Sequence, residues 1–117
     1  MARNPKESDF VVQVEGVGQF TFARRTMRDE ISIQVEYARI IDGAEPTGWL
    51  QAVGGWISTL KVLTVRSPEG WDLDTLDPLD PDTYAKMDAV YGGLSARERS
   101  FRRKSAEASE GNGSSVV

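Results

Sequence analysis

An alternating apolar pattern near the N-terminus is the strongest constraint on how this chain can fold. Every second residue from Phe10 to Val14 is apolar, and after residues 16–18 the pair Phe20 and Phe22 repeats the spacing. Alternate side chains of a strand point to the same side, so the two runs predict a β-hairpin with one apolar face. A two-stranded hairpin is barely stable in water, and other parts of the chain must therefore cover that face.

A helix with a wide apolar surface is predicted to follow the hairpin. It begins at a capping-box pattern, Thr26 with Asp29 three residues later, and ends at residues 42–43. One apolar stripe comprises Met27, Ile31, Val35, Ala38 and Ile41, and beside it lie Ile33, Tyr37 and Ile40. An apolar arc of more than half the circumference indicates a helix between two layers, or one that exposes a side to a partner.

A second helix is predicted over about residues 47–65, with Pro46 at its first turn. Its apolar side chains are spaced by three or four residues: Trp49, Val53, Trp56, Leu60 and Leu63. The pair Gly54-Gly55 is costly inside a helix, which indicates that another backbone approaches closely there, with the preceding helix as the nearest candidate.

A third helix is predicted to start at Asp80-Pro81, after a loop rich in aspartate. Its inward side chains are expected to be Tyr84, Met87, Val90, Tyr91 and Leu94. Gly92-Gly93 should break or bend it, so that a short basic segment begins with the capping box at Ser95 and ends near Arg103.

These elements predict an α+β fold, in which an N-terminal β-hairpin packs on a three- to four-helix assembly. With 117 residues the chain can bury one core, so residues 9–103 are expected to form a single domain. Residues 1–8 should be a flexible arm. Residues 104–117, rich in Glu, Ser and Gly, should be a disordered tail.

The chain has no His and no Cys, which excludes most catalytic and metal-binding classes. Catalytic triads, Cys nucleophiles, zinc fingers and His-ligated metals all need one of these residues. We therefore expect no enzyme, no cofactor and no metal. The five aspartates of residues 72–82 do not match a calcium loop, because Leu76 and Asp77 stand where a ligand and the turn glycine belong. They are expected to cap a helix and remain solvated, or to offer a docking surface to a basic partner.

A basic stretch near the C-terminus surrounds Phe101. It contains Arg97, Arg99, Arg102, Arg103 and Lys104. It is consistent with a solvated helix end, with pairing to the aspartate loop of the same or another copy, or with phosphate contacts. The formal net charge of −4 disfavours nucleic acid as the partner.

Three segments carry a resemblance to a known family. They are FTFARRTM at residues 20–27, ISIQVEYARIIDG at residues 31–43 and WISTLKVLTV at residues 56–65. Over about residues 18–103 the chain resembles the small tail assembly chaperones of long-tailed bacteriophages. The resemblance implies a mostly helical, non-enzymatic protein that binds the tape measure protein and keeps it soluble while tail tube subunits polymerise around it.

The partner surface is predicted to include apolar residues of both central helices, with basic residues setting orientation by charge. The apolar set is Ile33, Tyr37, Ile40, Trp49 and Trp56, and the basic set is Arg99, Arg102 and Arg103. The expected partner is the tape measure protein, with the tail tube protein and a second copy of this chain as further candidates.

The N-terminal residues lack the apolar run of a signal peptide, and the most apolar stretch is too short and polar for a membrane span. The expected location is the host cytoplasm, and the family resemblance implies absence from the mature virion. A structural tail or head-tail joining protein that remains in the virion is the alternative, and a small DNA-binding regulator is a third class.

Overall fold

The computed structural model describes the backbone of residues 3–112 and the side chains of residues 3–105. The elements are β1 (Phe10–Val14), β2 (Gly18–Phe22), α1 (Met27–Ile41), α2 (Gly48–Leu63), β3 (Thr64–Arg66) and α3 (Thr83–Asn112). The strands form one antiparallel sheet in the order β1-β2-β3. The predicted α+β class, with a hairpin packed on helices, is confirmed.

The hairpin has the register that its apolar spacing requires. Phe10 lies opposite Phe22, and Val12 lies opposite Phe20, so the apolar side chains share one face. A Cβ atom at Gly18 would lie 2.6 Å from Pro68 Cγ, and the φ of this residue is +140°, so only glycine fits there. The turn is thereby fixed against the loop that follows β3.

The strand β3 was not predicted, and it shortens the second helix. Helix α2 was expected to continue to Val65, but it ends at Leu63, and residues 64–66 pair with β2. The Ala23 N–H donates to the Leu63 carbonyl oxygen at 2.8 Å, which brings the end of α2 to the sheet. Strand β2 has an edge to pair, and the β-branched Thr64 and Val65 suit an extended backbone.

The core lies between the apolar face of the sheet and helices α2 and α3. Phe20 and Phe22 stack with ring centres 5.7 Å apart. The side chains that pack on the hairpin without solvent exposure are Leu60 and Leu63 of α2 and Val90 and Leu94 of α3. The predicted inward face of the third helix is confirmed at Met87, Val90 and Leu94, while Tyr84 and Tyr91 are half-buried.

Helix α3 is continuous where a break was predicted. It passes through Gly92 and Gly93 without interruption, so there is no separate fourth segment. A Cβ atom at Gly93 would lie 3.0 Å from Val12 Cγ1, whereas at Gly92 it would meet nothing within 4 Å. Gly93 therefore allows close packing of α3 on β1. Residues 104–112, assigned to the tail, continue this helix, and residues 113–117 lie outside the described residues.

Both central helices begin at threonine caps. The predicted capping box at Thr26 is present, since Asp29 N–H donates to Thr26 Oγ1 and Thr26 N–H donates to Asp29 Oδ2. Asp42, which ends α1, has a left-handed backbone with φ +52°. Helix α2 is capped by Thr47, so Pro46 precedes the cap and is not in the first turn as predicted.

Asp29 also holds the N-terminal arm. The Arg3 guanidinium donates to Asp29 Oδ1 at 3.0 Å and to the Val62 carbonyl oxygen at 2.8 Å. Burial by itself would raise the pKa of Asp29, but the hydrogen bonds from Thr26 and Arg3 outweigh it and hold that pKa below its ordinary value. The arm is thus attached to the domain at one ion pair.

We predict opposite behaviour for the two adjacent glycines of α3. Gly92→Ala should raise the free energy of unfolding by roughly 0.5–1 kcal/mol, because alanine costs less backbone entropy in a helix. Gly93→Ala should give none of this gain, because its methyl group displaces Val12. Urea denaturation of the two variants measures the difference. Equal stabilisation by both would contradict the packing of α3 on β1.

We predict that Asp29→Asn lowers the free energy of unfolding at pH 7 by about 1–2 kcal/mol, since a charged acceptor is lost. The pKa of Asp29 is lower in the folded state than its unfolded value of about 3.9. Its contribution is therefore complete above about pH 5 and is lost as the pH falls through the unfolded and then the folded pKa. The stability gap between wild type and variant should shrink over that range.

The exposed Asp88 provides the control, because Asp88→Asn should leave stability almost unchanged. Thermal unfolding measured from pH 7 to pH 3 follows both variants. An Asp29→Asn gap that stays constant over this range would show that the carboxylate is not held as described.

Candidate interaction surfaces

The outward side of α1 carries an exposed apolar stripe. Met27, Ile31 and Val35 are 75%, 53% and 63% exposed, and they follow one another at intervals of four residues. At 1.5 Å per residue they extend over about 12 Å of helix, and the exposed Ala38 continues the line. We call Met27, Ile31 and Val35 the α1 stripe. Large side chains this exposed in one row are typical of a contact surface.

The inward side of α1 is the one for which partner binding was predicted. Ile33 is only 5% exposed and belongs to the core, so its assignment to a partner surface is wrong. Tyr37 and Ile40 are half-buried, and both pack beside Gly54 of α2, where a Cβ atom would lie 3.3 Å from the Tyr37 ring. They hold α1 against α2.

The two sides of α1 could not be distinguished by spacing. The inward residues Asp29, Ile33, Tyr37 and Ile40 repeat the intervals of Met27, Ile31, Val35 and Ala38. Which side of α1 faces inward depends on α2, because Gly54 leaves room for the Tyr37 ring. The predicted close approach at the glycine pair is therefore correct for Gly54, but side chains and not a backbone make it, and Gly55 faces open space.

The tryptophans differ in exposure. Trp49, in the first turn of α2, is 58% exposed, and its ring meets Tyr84 edge-on with centres 6.4 Å apart. Trp56 is half-buried. Trp71 lies edge-on to Phe20 at 5.4 Å and packs against the core. Of the three, Trp49 has the accessibility that a partner contact needs.

Four arginines with exposed side chains gather around the second half of α3. Arg99, Arg102 and Arg103 line an open cavity of about 490 Å³. Arg102 also lines a second cavity of about 180 Å³, together with Arg24, whose guanidinium lies 4.1 Å from the centre of the Phe101 ring. Such a cation–π contact fixes the direction of Arg24. We call Arg24, Arg99, Arg102 and Arg103 the arginine surface.

Two further arginines close to the arginine surface, Arg25 and Arg97, form hydrogen bonds within the fold and are not free for a partner. Arg25 donates to both carboxylate oxygens of Glu98 at 3.0 Å and to Glu30 at 2.7 Å. Burial would lower the pKa of Arg25, but the two carboxylates outweigh it and raise that pKa above its ordinary value. Arg97 donates to the Val11 carbonyl oxygen at 2.7 Å. These bonds connect α3 to β1, to α1 and to the end of the hairpin.

The aspartate loop, residues 69–82, is used for turns. Asp72, Asp77 and Asp80 each accept a hydrogen bond from the backbone N–H two residues later, at 2.9–3.0 Å. Such bonds are the usual reason for aspartate in tight turns. Among the described residues, no group of three or more carboxylates is placed to hold a metal ion.

The longest helix is polar as well as long. In the part of the chain that the structure describes, no helix combines the length and apolar composition needed to cross a membrane.

Comparison of the chain with protein-family models, curated proteins and solved structures finds no match. In residues 3–105 the α1 stripe and the arginine surface are the candidate sites that the geometry provides.

Proposed function

We propose that this protein is a tail assembly chaperone of a long-tailed bacteriophage, which binds the tape measure protein and keeps it soluble while the tail tube forms. The observation that carries the proposal is the exposure of the α1 stripe. The resemblance of residues 18–103 to that chaperone family supplies the identity of the partner.

The α1 stripe has the chemistry needed to hold an apolar helix. An amphipathic helix of the partner could pack along it with contacts at intervals of three or four residues. Covering Met27, Ile31 and Val35 would contribute roughly 1 kcal/mol or more for each side chain. Together this is a few kcal/mol before the cost of association is subtracted, so stable binding requires further contacts beside the α1 stripe.

The proposed role requires an exposed apolar surface and no catalytic group. A chaperone that holds a chain must expose apolar residues without aggregating, and α1 meets this need because its opposite face is anchored on α2. Trp49 adds a second exposed aromatic contact near the start of α2. In this role the protein acts in the host cytoplasm and leaves before the virion is complete.

The test is coexpression with the tape measure protein encoded by the same phage. The chain should raise the soluble fraction of that protein, and Ile31→Gln combined with Val35→Gln should return it to the level found without the chain. The matched control is Val11→Gln, because Val11 is 46% exposed on the outer side of β1. This control should retain full activity.

Two results would contradict the proposal. One is a tape measure protein that is equally soluble with and without this chain. The other is a fixed, abundant copy number in purified virions measured by mass spectrometry, which would indicate a structural component of the tail.

A further inference from the structure

The arginine surface carries positive charge that the described residues do not neutralise. The exposed Arg99, Arg102 and Arg103 form no ion pair with any side chain in residues 3–105. Arg24 is stacked on Phe101 and likewise forms none there. Guanidinium groups with this freedom are suited to binding carboxylates in a bidentate manner.

The aspartate loop carries the opposite charge in excess. Residues 69–82 contain six carboxylates, with Glu69 added to the five aspartates, and no basic residue. The hydrogen bonds from backbone N–H groups do not neutralise this negative charge, because the donors are uncharged. The ion pair found for the loop joins Asp74 to Lys61 at 3.3 Å.

The two charged regions form no ion pair with each other among the described residues, and the end of the loop lies far from the arginines. The loop ends where α3 begins at Thr83, and Arg99 lies 16 residues further along the same continuous helix. That is about 24 Å at 1.5 Å per residue. It is about three Debye lengths at physiological ionic strength, so the intramolecular attraction is largely screened.

We propose that the arginine surface binds the aspartate loop of a second copy of this chain, so that copies associate head to tail. The observation is the presence, on one chain, of two complementary charged regions that form no ion pair with each other among the described residues. The inference does not depend on the proposed function.

A protein loop fits the arginine surface better than a nucleic acid does. The chain has a formal net charge of −4, so a long polyanion that extends beyond the arginines is repelled by the protein as a whole. A short acidic loop would contact the arginine surface alone. Each head-to-tail contact leaves one free loop and one free arginine surface, so the assembly either closes as a ring or grows as a chain.

The test is sedimentation of the full chain at two salt concentrations. At roughly 20 mM salt the average mass should rise above that of the monomer as protein concentration increases, and at about 500 mM it should return to the monomer value. A monomer at both concentrations would overturn the proposal, as would an assembly that does not respond to salt.

Charge reversal identifies the two surfaces. Arg102→Glu with Arg103→Glu cancels the positive charge of the arginine surface, and Glu69→Lys with Asp74→Lys and Asp82→Lys cancels the negative charge of the aspartate loop. Each variant alone should sediment as a monomer at low salt, and an equimolar mixture should associate in pairs, because the unchanged aspartate loop of the first variant meets the unchanged arginine surface of the second. The control is Lys6→Glu with Arg28→Glu, two exposed positions outside both regions, which should associate like wild type.

Restored association in the mixture shows that both variants fold, because a misfolded chain could not restore it, and cooperative thermal unfolding of each variant alone checks folding independently. A mixture that stays monomeric would overturn the proposal, and so would equal weakening by the control. If the wild type binds double-stranded DNA more tightly than it binds itself, and the arginine variant loses that binding, the surface serves nucleic acid and the proposal is wrong.

Discussion

The need to cover the apolar face of the hairpin determines the rest of this structure. Phe20 and Phe22 lie on that face without solvent exposure, because α2 and α3 pack over them. Helix α2 must reach the sheet with Leu63, and the chain then continues as β3 along the open edge of β2. Helix α3 must approach β1, which Gly93 allows. With this core filled largely by two helices, α1 contributes Ile33 from its inner side, and its outer side is left to solvent.

The exposed features are distributed in a way that separates two kinds of contact. The α1 stripe is apolar and suited to a helical partner. The aspartate loop and the arginine surface precede and follow the first half of α3, which places the end of the loop about 24 Å from Arg99. An apolar holding surface and a polar assembly surface can therefore act at the same time, because neither needs the residues of the other.

Local signals in the sequence were sufficient for the hairpin and for α1, and insufficient for β3, for the continuity of α3 and for the relative placement of the elements. The hairpin follows from the spacing of Phe10 to Phe22, and the start of α1 follows from Thr26 and Asp29. The strand β3 could not be read in this way, because Leu60 and Leu63 fit a helix and Val65 continues the apolar pattern. The side of α1 that faces inward depends on Gly54 of another helix. The pair Gly92-Gly93 indicates a helix break when only the sequence is considered. In the structure, Gly93 is needed because Val12 of β1 packs against it.

The candidate surfaces show the same limit. Arg99, Arg102 and Arg103 could be selected from their positions along one helix, and the structure places them together. Arg24 joins them only through Phe101, which is distant in sequence. Ile33 was predicted to face a partner, but it faces the core. The two sides of α1 have the same spacing, and the spacing does not show which side packs on the rest of the protein.

A photo-crosslinking amino acid placed at position 31 tests most directly whether the α1 stripe holds the tape measure protein. The same amino acid placed at position 11, where the exposed Val11 is replaced, gives the background crosslinking under identical conditions. The proposed role predicts strong crosslinks to the tape measure protein from position 31 and few from position 11. Crosslinks of equal yield from both positions, or none from position 31, would contradict it.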